Sequence, residues 1–93
     1  MSSLTSFQRT AIRRLFQQAF AYSKQEESKY GPIAIERWKE IDIPRFISVL
    51  LTRKGLLDED EIQEHYNDIL KIFLTTLKRS FGQSFVDSLV WKV

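Results

Sequence analysis

The chain has 93 residues, a net charge of +2 and no cysteine. That length holds one domain with a modest stability margin. At 43% apolar and 28% charged residues, the composition is that of a globular domain, neither disordered nor membrane-embedded. Without cysteine there is no disulfide frame, thiolate zinc site or cysteine nucleophile. No run of 18 apolar residues offers a spanning helix. The first residues lack the apolar core of a signal peptide, and Ser2 removes a myristoylation signal. An intracellular setting, cytoplasm or nucleus, is the expectation.

The small net charge hides a strong segregation. Residues 1–54 carry ten Lys and Arg against five Asp and Glu, a balance of +5. Residues 55–70 carry six acids and no Lys or Arg, a balance of −6. Residues 71–93 return to four bases and one acid, a balance of +3. Such poles orient partners more than they determine a fold.

Residues 1–5 are expected to be a loose end. Thr5 or Ser6 can cap a helix over residues 6–27. Ile12, Leu15, Phe16, Ala19 and Phe20 form one buried stripe, widened by Leu4, Ala11 and Tyr22. Arg9, Arg13, Arg14 and Lys24 give this helix its basic outer face. Tyr30-Gly31-Pro32 ends it.

Residues 33–40 form a short second helix, although Ile33 and Ile35 also permit an extended start. Trp38 and Ile41 would face inward. Asp42 caps a third helix over residues 43–54, with Pro44 in its first turn. Phe46, Ile47, Val49, Leu50 and Leu51 leave this helix almost no polar face, so it is expected at the centre, mostly buried. Gly55 stops it, and Leu56 is placed for the apolar contact of a Schellman ending.

The clearest element is a long fourth helix over residues 59–81. Ile62, Tyr66, Ile69, Leu70, Phe73, Leu77 and Phe81 share one face. Asp58 and Glu61 have capping-box spacing, and Leu57 and Ile62 are placed for a hydrophobic staple. Ile72, Leu74 and Thr76 flank the stripe, so apolar residues cover about half the circumference, beyond the ~100° one neighbour needs. Ser84 and Asp87 repeat the capping-box spacing before a last helix over residues 85–91, with a β reading open for residues 89–93. The expected fold is all-α, a single domain of four to five helices. Residues 46–66 have the outline of a helix-turn-helix pair.

Little in this sequence supports catalysis. His65 is the single histidine, with Glu61 at i−4 and Asp68 at i+3 on the same helix. A zinc site takes three or four ligands rich in His or Cys, and no second one exists. The acids Asp58, Asp60 and Glu61 miss the calcium-loop pattern, since Ile62 takes the third ligand position. They read as cap and dipole complement. No phosphate-cradling glycine loop or nucleophile elbow occurs. No enzyme, cofactor, metal or small-molecule substrate is therefore expected.

The expectation is a small protein-interaction module, a subunit or adaptor that binds another protein or a second copy of itself. Ile72, Leu74, Phe81, Phe85 and Trp91 are the candidate contact residues. The alternative is nucleic-acid binding through Arg9, Arg13, Arg14 and Lys24. The second helix of the helix-turn-helix pair is a poor groove reader, because five carboxylates crowd its N-terminal half.

Overall fold

Thr5 turns the chain into its first helix. Its hydroxyl accepts the Gln8 N–H, and the Gln8 side chain accepts the Thr5 N–H, a complete capping box. Residues 3–89 are described in the computed structural model, and they form an all-α single domain. Helix α1 spans Ser6–Tyr30, longer than its stripe alone required. Residues 3–5 are not a loose end. Leu4 is buried in the core, which fixes the chain at the point where Thr5 caps it.

A short α2, Ile33–Glu36, runs into a 3-10 turn, Arg37–Lys39, which drives Trp38 into the core. Asp42 then caps α3, Ile43–Arg53, by accepting the Arg45 N–H at 3.1 Å. At the far end, the Gly55 N–H donates to Thr52 O and the Leu56 N–H to Leu51 O. These are the two bonds of a Schellman ending, and Gly55 carries the positive φ of 68° it requires.

The long fourth helix is two helices. Helix α4 spans Glu59–Glu64 and α5 spans Tyr66–Phe81, with His65 between them at φ −109°, ψ 17°. His65 donates its N–H to Glu61 and offers its carbonyl to Ile69. The apolar spacing carries through the junction, because one bridge-region residue changes the axis without changing the count. His65, Asn67 and Asp68 are weak helix formers, so a bend costs least here. Asp68 also falls in the first turn of α5, where an acid suits the helix dipole. The Asp58–Glu61 capping box that opens α4 is fully formed. Both Leu57 and Ile62 are buried in the core cluster.

Helix α6, Gln83–Asp87, starts two residues early, and no side chain caps it. Instead of a Ser84–Asp87 box, Gln83 Nε2 donates to Asp87 Oδ1 at 2.6 Å, and Ser88 Oγ donates to Phe85 O. Trp91 and the rest of the β alternative for residues 89–93 lie outside the described residues, apart from Leu89, which is fully buried in a turn.

The centre of the molecule is the α1–α5 pair, not α3. Phe16 and Phe20 meet Phe73 edge-on at centroid distances of 5.2 and 5.4 Å. Arg9 reaches Asp68 near the start of α5, and Phe20 reaches Phe81 at its end. Contacts thus advance in the same direction along both helices, which run parallel. A parallel pair needs a crossover, and α2, α3 and α4 supply it. Helix α3 enters the core by one stripe, Ile43, Ile47 and Leu51. Its other side keeps Arg45 and Val49 exposed, with Phe46 and Leu50 half-buried. The 25 residues of α1 span about 37 Å and account for most of the 43 Å long dimension.

Candidate functional site

Among the described residues the large apolar side chains left in solvent are Phe7, Tyr22, Tyr30, Ile33 and Val49. None belongs to α4 or α5. Ile72, Leu74, Phe81 and Phe85 are half-buried and pack against the core. Phe81 touches Phe20 and Phe85, and Lys24 and Lys39 lie over the rings of Phe81 and Phe85 at 5.8 and 5.6 Å. The flanks of the long helix's apolar arc are therefore packed against the core, with Phe81 between α1 and α6.

Phe7 is the most exposed of the five, at 78%. It stands at the edge of an open groove of about 650 Å³ between the N-terminal half of α1 and the end of α3. Phe7, Ala11 and Leu15 form one wall at i, i+4 and i+8, rotated away from the Ile12–Phe16–Phe20 stripe that faces the core. Leu56 forms the opposite wall, carried there by the Gly55 turn. Arg14 and Lys54, both exposed, sit at the rim. The groove is thus apolar in its walls and cationic at its edge.

Phe7 was legible in principle. Leu4, Phe7, Ala11 and Leu15 extend the apolar arc of α1 beyond what one partner helix covers, the same test that singles out the long helix.

The four candidate basic residues of α1, Arg9, Arg13, Arg14 and Lys24, do not lie on one face. Arg9 and Arg13 line a second groove, of about 240 Å³, between α1 and α5. Arg14 belongs to the Phe7 groove and Lys24 to the ring of Phe81. On the α5 side the second groove is lined by Asp68, Lys71, Thr75 and Arg79. Arg9 and Asp68 approach to 3.7 Å across it, both substantially exposed, so the pair adds little stability.

His65 does not gather Glu61 and Asp68. Its Nε2 lies 3.8 Å from Glu64, while Glu61 is held in the capping box and Asp68 faces Arg9. Among the described residues no group of three or more His, Asp or Glu side chains is placed to hold a metal ion. None of the described helices is long and apolar enough to cross a membrane. At the other end of α1, Tyr22 donates its hydroxyl to Glu26, and this bond, with the Glu26 charge, raises the Tyr22 pKa. Comparison with protein-family models, curated proteins and solved structures gives no match.

Proposed function

We propose that the chain is a protein-binding module, and that the Phe7 groove is its contact surface. The observation that carries this reading is the 78% exposure of a phenylalanine beside an apolar groove. Leaving a phenylalanine in water forgoes about 1.5–3 kcal/mol of burial energy, which a partner recovers. Two walls, one from helix α1 and one from the turn after α3, suit the apolar face of a partner helix. Arg14 and Lys54 favour a segment with acids beside that face, and suppress a basic one. In this reading the chain binds and does not catalyse.

The test compares the wild-type protein with Phe7→Asp, and with Tyr30→Asp as an exposed-aromatic control. Co-purification from native lysate and sedimentation over a concentration series are the readouts. A partner, or a second copy, that is lost with Phe7→Asp and kept with Tyr30→Asp supports the reading. Equal retention by both variants overturns it.

A further inference from the structure

We propose that the groove between α1 and α5 holds the phosphate backbone of double-helical nucleic acid. Two parallel helices form its walls, and both carry cations along the groove, one turn apart on α1 and about two turns apart on α5. Arg9 and Arg13 are four residues apart on α1, and Lys71, Thr75 and Arg79 step by four along α5. At 1.5 Å per residue, the α5 row spans about 12 Å. One strand of a duplex presents a regular row of phosphates, so a cationic row of this length meets more than one of them.

The charge balance is right for such a ligand. Arg9 is partly neutralised by Asp68 at 3.7 Å. Arg13, Lys71 and Arg79 are all exposed, and no ion pair to a described residue is recorded for them. Three cations are then available to phosphate. They line a trough, not a convergent pocket, so a repeated anion fits better than one isolated phosphate. The exposed Thr75 hydroxyl adds a donor between Lys71 and Arg79.

The same lining selects among polyanions. Among the described residues no aromatic side chain lines this groove, so single-strand bases find no stacking platform there. Ile72, the one large apolar lining residue among the described residues, is half-buried, so the described lining lacks the apolar face that a membrane surface requires. The site is distinct from the Phe7 groove and does not depend on it.

The experiment is fluorescence anisotropy with a 20-base-pair DNA duplex, a single strand of equal length, and anionic phospholipid vesicles as a competitor. Three phosphate contacts give a slope of log K on log salt of about −2.7. Affinity for the duplex is then expected to fall about 40-fold between 50 and 200 mM salt. Arg13→Gln with Arg79→Gln should reduce the slope to about −0.9, leaving one contact. Lys29→Gln with Arg37→Gln removes the same charge outside the groove and should leave the slope unchanged, as should Phe7→Asp. Circular dichroism confirms that the exposed substitutions leave the fold intact. No duplex binding at 50 mM salt, an equal slope change in both double variants, or tighter binding to single strand or vesicle than to duplex would each overturn the assignment.

Discussion

Trp38 donates its indole N–H to Ser23 Oγ at 2.8 Å, inside the core. Ser23 passes the bond on, its hydroxyl donating to Ala19 O at 3.2 Å. A 3-10 turn thereby attaches to the middle of α1 through a single polar contact among apolar neighbours. Ser23→Ala leaves the buried indole N–H without a partner, which costs about 1–3 kcal/mol. Urea unfolding measures this. A loss below about 0.5 kcal/mol would mean that the bond does not hold the turn.

Two phenylalanines, one in the core and one in solvent, should behave oppositely. Phe73 is fully buried and meets Phe16, Phe20, Trp38 and Phe46. Phe73→Ala should cost about 3–5 kcal/mol, a large share of the total stability of so small a domain. Phe7→Ala should stay within about 0.5 kcal/mol of wild type, because its ring is already in water. Thermal or urea midpoints separate the two, and a strongly destabilising Phe7→Ala would reassign Phe7 to structure.

Gly82 joins α5 to α6 at φ 95°, ψ 164°. That region is essentially closed to residues with a Cβ. An added Cβ would meet no atom within 4 Å, so the whole effect of Gly82→Ala is backbone strain. The expected cost is about 1–3 kcal/mol, with loosening of the Phe81–Phe85 contact, now 5.3 Å. Near-ultraviolet circular dichroism and urea unfolding report both effects. An unchanged midpoint would show that this joint accepts another backbone.

Tyr66, the first residue of α5, has its pKa raised above 10.0, chiefly by burial and then by the Asp42 charge. The folded state therefore holds this proton more tightly than the unfolded chain. The associated stability is present below pH 10.0 and is lost as pH rises through the higher folded value. Urea midpoints should decline above about pH 10, and Tyr66→Phe should decline less steeply. Parallel curves for the two proteins would remove Tyr66 as a cause.

Local chemistry by itself determined the helix ends. Asp58 with Glu61, Asp42, and the Gly55 stop each act within four or five residues, so their partners are visible in the chain. The all-α class and the Ile12–Phe16–Phe20 and Ile69–Phe73–Leu77 stripes followed from periodicity in the same way. Periodicity also misled at His65, since a bend leaves the count of apolar positions untouched. It misplaced the Ser84–Asp87 cap, because Gly82 had already turned the chain.

Only the tertiary structure decided which apolar flank stays in water. A helix sequence gives the width of its own apolar arc and says nothing about the direction from which neighbours arrive. Packing against the core half-buries Ile72, Leu74 and Phe81, and Phe20 of α1 meets the Phe81 ring from outside its own helix. The same packing leaves Phe7 uncovered and divides Arg9, Arg13 and Arg14 between two grooves. Those outcomes rest on contacts between residues more than fifty positions apart, such as Arg9 with Asp68 and Phe16 with Phe73. Their energies depend on the arrangement of the whole chain, and no local spacing encodes it.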